Sequence, residues 1–128
     1  MTLIDASVII DYLRSPDSQL LAAIRACDPV VCGVTRTEIL SGSRGSAHQQ
    51  RLTSILDSFG QISLSDAFWD VAGDHLSKLR TSGITVPFPD AVLSALAITL
   101  GIELWSRDQH FPLIQRVFPA LQLFRESP

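Results

Sequence analysis

Apolar and polar positions along the chain change period several times, and each change marks an element. Thr2-Leu3-Ile4-Asp5 is a short apolar run closed by an acid, which predicts a first strand. Residues 6–14 follow at helical spacing, with Asp5 or Ser7 placed to cap them, and Ser15-Pro16-Asp17 breaks the helix. Residues 19–26 set Leu20, Leu21, Ala23 and Ile24 for a second helix. Pro29-Val30-Val31-Cys32-Gly33-Val34 is a β-branched run suited to a parallel strand buried on both faces. Thr35 then opens a helix through Leu40, and the polar stretch 41–46 interrupts it. Residues 47–59 are amphipathic, with Leu52, Ile55, Leu56 and Phe59 on one side.

Gln61-Ile62-Ser63-Leu64 alternates as a short strand. Residues 65–81 predict a long helix capped by Ser65, with an apolar stripe at Phe68, Val71, Ala72 and Leu76, ended by Gly83. The most informative stretch is 87–111. Pro87 and Pro89 suit a helix entry, because each fixes φ and removes an amide donor. Residues 91–100 are apolar on nearly every face, which implies a helix covered on most sides, and Gly101 is a natural stop. Ile102-Glu103-Leu104-Trp105 reads as a strand that Ser106-Arg107-Asp108 leaves. A short helix over 111–118 and a last strand over 121–124 complete the order. Strands alternating with helices predict an α/β fold, a central mainly parallel sheet with helices on both faces.

Composition adds little to that picture until charge is considered. A chain of 128 residues is one domain's worth, able to bury roughly 65–70% of its unfolded surface. A hydrophobic fraction of 46% and a mean hydropathy of +0.26 predict that some apolar surface is shared with a partner. No apolar run reaches the ~20 residues of a membrane span, and no basic segment precedes an apolar one. The expectation is a cytoplasmic protein without membrane contact. Cys27 and Cys32 make neither a disulfide framework nor a zinc pattern. A net charge of −3 argues against a general nucleic-acid-coating protein, though not against an enzyme with bases around an acidic pocket. Lys78 is the sole lysine among ten bases, and the rest are arginines, suited to bidentate phosphate contacts.

The candidate chemistry lies in four acids. Ligands of parallel sheets bind outside the carboxyl ends of the strands. Asp5 leaves the first strand, Glu38 lies one turn into the helix after the second, and Asp108 leaves the late strand. Asp90 starts the apolar helix, so all four can converge on one edge. Taken singly each has a structural explanation: Asp5, Asp90 and Asp108 as helix-terminal groups, and Glu38 as the last member of a Thr35-Arg36-Thr37-Glu38 capping box. Taken jointly they repel, and a hard divalent cation, Mg²⁺ or Mn²⁺, is the economical reason to gather them. Such an ion serves phosphodiester hydrolysis. Ser7 reads as a first-turn hydroxyl or a group near the metal, and Arg107 as a phosphate contact or a surface arginine. Arg36 and Arg44 flank the same edge, His110 reads as a turn histidine, and Trp69 and Trp105 read as core or interface. Asp11, Asp66, Asp70, Asp74 and Glu103 read as solvated or capping.

Three segments, LIDASVIIDYL at 3–13, TRTEILSG at 35–42 and PDAVLSALAITLGIELWSRDQHF at 89–111, resemble the PIN-domain family, in particular VapC-type toxins of bacterial toxin–antitoxin pairs. The likeness runs over essentially the whole chain and implies a single PIN-like three-layer domain over 1–128. It also implies a Mg²⁺- or Mn²⁺-dependent endoribonuclease acting on tRNA or ribosomal RNA, commonly homodimeric. A VapB-like antitoxin is implied to neutralise it through a C-terminal segment in the acidic pocket. Asp5, Glu38, Asp90 and Asp108 fall on the family's catalytic acids, with Asp5, Asp90 and Asp108 implied as metal ligands. Ser7 falls on the polar position beside the first acid. The chain departs from some members in carrying Gln109 and His110 where they have a further acid. Two other readings compete. A catalytically silent scaffold would bind protein or RNA without cutting. A small Mg²⁺-dependent phosphatase of the haloacid-dehalogenase type would want an Asp where Ser7 stands, and no glycine-rich phosphate loop is present.

Overall fold

The structure is a computed structural model in which residues 1–127 are described. Its elements follow the order β1 (Thr2–Ile4), α1 (Ala6–Arg14), α2 (Ser18–Ala26), β2 (Pro29–Cys32), α3 (Gly33–Ser41) and α4 (Ser46–Asp57). Then come β3 (Gly60–Ile62), α5 (Asp66–Thr81), α6 (Phe88–Leu100), β4 (Glu103–Trp105), α7 (His110–Val117) and β5 (Gln122–Leu123). The strands form one sheet in the order β3-β2-β1-β4-β5, and every pair is parallel. β1 is central, with Leu3 opposite both Val30 and Leu104. The α/β reading, with helices on both faces of a parallel sheet, holds.

Strand alternation divides the core into two halves. Leu3, Val30, Cys32 and Leu104 point to one face, where Phe68, Leu79, Val92, Leu96 and Ile114 of α5–α7 cover them. Ile4, Val31 and Trp105 point to the other, beneath Val8, Ile9, Ile24 and Leu56 from the N-terminal helices. α6 is buried continuously from Asp90 to Ala97, as its all-round apolar sequence requires. It ends at Gly101, which takes φ +64 while the Ile102 amide donates to the Ala97 carbonyl. Ser65 caps α5 as expected, its hydroxyl accepting from the Phe68 amide.

Three sequence expectations are corrected. β2 stops at Cys32 and α3 begins at Gly33, two residues before Thr35. A β-branched residue such as Val34 fits either element, and here it lies in the helix, where the Thr37 hydroxyl donates to the Gly33 carbonyl at 2.7 Å. Thr35 is consequently inside the helix, fully buried, donating to the Ile4 carbonyl at 3.3 Å, so the capping box with Glu38 does not form. In α5 the buried stripe is Phe68, Ala72, His75 and Leu79, while Val71 is exposed. Its third member is polar: the His75 ring nitrogen Nε2 lies 2.7 Å from the Ser94 hydroxyl of α6. Both cysteines are free, and no helix among the described residues is long and apolar enough to cross a membrane.

Candidate active site

Four acids from four separate places in the chain meet at the carboxyl edge of the sheet. Asp5 stands at the end of β1, Glu38 in the second turn of α3, Asp90 in the first turn of α6, and Asp108 in the loop between β4 and α7. The two strands that carry Asp5 and Asp108 are hydrogen-bonded neighbours, Ile4 lying opposite Trp105. The Asp5 amide donates to the Trp105 carbonyl at 2.9 Å, which extends that pairing into the site.

A continuous set of polar contacts joins the acids. The hydroxyls of Ser7 and Ser106 both donate to Asp5 Oδ2, each at 2.7 Å. Ser106 Oγ accepts in turn from the Asp108 amide at 2.9 Å, and Ser7 Oγ accepts from the Arg107 amide at 3.0 Å. Asp108 Oδ1 accepts from the His110 amide at 3.0 Å. The His110 ring atom Nδ1 then lies 2.8 Å from Asp108 Oδ1 and 2.7 Å from Asp90 Oδ2. Asp5 occupies the N-cap position of α1 yet makes no side-chain capping bond, since its carboxylate is turned into this network. Loading two hydroxyl donors onto Oδ2 fixes the rotamer and leaves Oδ1 for the pocket.

Burial and neighbouring charge act on two of the acids. Asp90 is 7% exposed, and its carboxyl is pushed up to about 6, first by burial and then by the negative charges of Asp108 and Asp5, with the His110 contact working in the opposite direction. Glu38 is exposed at its rim, but its carboxyl is also held above the ordinary value. Partial burial is the main cause, followed by the charges of Asp5, Asp90 and Asp108. Among the described residues no arginine or lysine forms an ion pair with any of the four.

An acid whose carboxyl rises from 3.8 unfolded to about 6 folded binds more protons in the folded state between those values. Its contribution to stability therefore falls as pH rises from about 4 to about 6, and the cost is complete at neutral pH. Asp90→Asn should stabilise the cation-free protein by roughly 1–3 kcal/mol at pH 7.5 and by little at pH 4. Paired urea titrations at the two pH values check this, and equal differences at both would refute it.

Of the other candidates, Ser7 touches Asp5 directly, so the reading that placed it near the site is the one the geometry favours. Arg107 lies across the Asp11 carboxylate at 3.1 Å and the Glu126 carboxylate at 2.7 Å. Asp11 is accordingly an ion-pair partner and not merely solvated. Arg36 pairs with Asp57 at 2.7 Å. Ser106 and the contact role of His110 were not anticipated. A serine in a polar loop carries no periodic signal, and its value comes only from the β1–β4 pairing that sets it beside Asp5.

The donor set suits a hard cation: carboxylate oxygens dominate it, two of the acids resist ionisation, and among the described residues no arginine or lysine pairs with them. The PIN domain family matches residues 2–117. A VapC ribonuclease of Mycobacterium bovis is 27% identical over 125 residues, covering 91% of this chain and 93% of that protein. The VapBC2 complex of Rickettsia felis, bound to a DNA fragment from its promoter, superposes with a TM-score of 0.82 at 15% identity over 98% of both chains. VapC20 of Mycobacterium tuberculosis, a toxin that cleaves the sarcin–ricin loop, superposes with a TM-score of 0.69 at 15% identity, over 88% of this chain and 94% of that one. At those identities the two structures speak to the fold.

Proposed function

This chain belongs to the PIN-domain family, and on that footing we propose that it is a metal-dependent endoribonuclease of the VapC toxin type, neutralised by a cognate VapB-like antitoxin. The observation that carries the reading is the gathering of Asp5, Glu38, Asp90 and Asp108, with the carboxyls of Glu38 and Asp90 raised first by burial and then by neighbouring acids, Asp5 and Asp108 among them. Structural duty does not explain it: an isolated cap would not bring four mutually repelling acids to one edge.

Asp5, Asp90 and Asp108 would hold Mg²⁺ or Mn²⁺, which when bound polarises the scissile phosphate and acidifies a water. The chain's own residues prepare that chemistry. Ser7 and Ser106 fix the Asp5 carboxylate, and Ser106 ties it to the Asp108 backbone. Glu38, at the exposed rim with a raised proton affinity, is placed to orient an attacking water and receive its proton. The substrate is RNA, with tRNA or ribosomal RNA as the class that the family resemblance implies. A homodimer is part of the same reading, supported by an exposed aromatic pair, Trp69 and Phe88, stacked at 6.5 Å between centroids.

The test is cleavage of total RNA by purified protein in Mg²⁺, in Mn²⁺ and in EDTA. Cutting that needs the cation and stops in EDTA is expected. Cutting that persists in EDTA would overturn the mechanism, and a protein that binds neither cation would be a silent scaffold.

A further inference from the structure

Among the described residues the imidazole of His110 is the one side-chain nitrogen in the group with Asp90 and Asp108, and its position is not that of an ordinary turn residue. A turn histidine following Asp108 would account for the local contacts, in which the His110 amide donates to Asp108 Oδ1 at 3.0 Å. It would not account for Asp90, which comes from a different helix and whose Oδ2 is 2.7 Å from Nδ1. Asp90, Asp108 and His110 each offer one donor atom, and the three lie within 4.8 Å of one another. Neighbouring ligands at right angles around an ion about 2.1 Å away are separated by about 3 Å. The observed 2.7 and 2.8 Å between Nδ1 and the two carboxylate oxygens are within a few tenths of that.

Backbone and burial both hold this arrangement. His110 opens α7, whose Phe111 and Ile114 are anchored in the core, so the ring cannot drift along the surface. Asp90 is fixed by the buried turn of α6 that carries Ala91 and Val92. A convergent triad of two carboxylates and one imidazole, drawn from two helices and a loop, is a ligand set whose members are positioned before any ion arrives.

We propose that His110 is itself a ligand of the divalent cation, completing a site with Asp90 and Asp108 that favours a first-row transition ion over Mg²⁺. The inference rests on the nuclease reading of this pocket and narrows it. Magnesium is served by oxygen and surrenders its waters reluctantly. Imidazole is a borderline-soft donor that first-row ions accept and magnesium does not seek. Where an all-acid pocket would leave the two ions closely matched, one nitrogen tilts the balance.

The experiment uses Mn²⁺ and Mg²⁺ as the probes, on the wild-type chain, on His110→Gln and on His110→Asp. Calorimetry gives the ratio of the two affinities, and pulsed EPR of bound Mn²⁺ reports a ¹⁴N coupling only when a nitrogen is a ligand. The wild type should show the coupling and a Mn²⁺-to-Mg²⁺ affinity ratio larger than that of His110→Asp, which restores an all-oxygen pocket. Both variants should lose the coupling. Bound Mn²⁺ without ¹⁴N coupling in the wild type, or an affinity ratio unchanged in His110→Asp, overturns the inference and leaves the nuclease reading intact. Absence of binding by either ion removes both. Coupling present in a protein that cuts no RNA would leave this site standing and remove the nuclease reading instead.

Discussion

Asp5→Asn should abolish RNA cleavage, lowering the rate by about a thousandfold or more, on the order of 4 kcal/mol of barrier, while leaving the protein folded. Asp5 is 4% exposed and sits at the centre of the network, and its charge is felt by Glu38 and Asp90. Asparagine keeps its shape. The amide oxygen can still accept from the Ser7 and Ser106 hydroxyls that now donate to Oδ2, so the link to the Asp108 backbone survives. What disappears is one negative charge and, on the proposed reading, one ligand for the cation. Removing that charge also relieves the repulsion on Asp90 and Glu38, so a loss of stability is not expected. Cleavage assays beside thermal unfolding separate the two effects. A variant that cuts at the wild-type rate would refute the assignment of Asp5, and one that fails to fold would show that its charge is structural.

The largest expected loss of stability is at Trp105. Trp105→Ala should cost about 3–5 kcal/mol, the range for emptying a buried aromatic site. The residue is fully buried in β4, packs with Ile4, Ile9 and Leu20 in the core half beneath the N-terminal helices, and lies 4.3 Å from the Phe124 ring between centroids. Its indole nitrogen has no hydrogen-bond partner among the described residues. An unsatisfied buried donor is a cost in the native protein, so Trp105→Phe gives up packing volume while shedding that penalty. The phenylalanine variant should lose less than half as much as the alanine variant. Urea unfolding with a common slope measures both, and an alanine variant within 1 kcal/mol of wild type would show that the site collapses around the gap. Because Ser106 and Asp108 follow Trp105 directly, the alanine variant should also be the less active in proportion to its unfolded fraction.

Much of the architecture was legible because its elements have unambiguous periods. α6 could be read from an apolar stretch bounded by prolines and Gly101, and the acids from their places at strand ends and helix starts. The start of α3 was misread because Val31, Cys32 and Val34 look alike to a pattern that does not register the Thr35 contact with Ile4, 31 residues away. Val71 falls at an apolar spacing and still faces solvent, because His75 takes the inward place and meets Ser94. In the pocket, the four acids were found by type and position, whereas Ser106 and His110 were not. Their roles arise from pairing between chain segments 101 and 20 residues apart. Such contacts leave no local trace in composition or spacing.

The central place of β1 has a consequence for the protein during its own synthesis. One neighbour, β2, begins at Pro29, but the other, β4, begins only at Glu103. A chain leaving the ribosome from its N-terminus can pair β1 with β2 early, and must then wait for some seventy more residues before β1 is enclosed. Parallel pairing across such separations is slow to form. Until the segment beyond Trp105 has emerged, Asp5 lacks Ser106 and Asp108 beside it, and the pocket has neither its full charge nor its shape. On the nuclease reading, the acidic pocket is therefore completed only after the segment that carries Ser106 and Asp108 has been made.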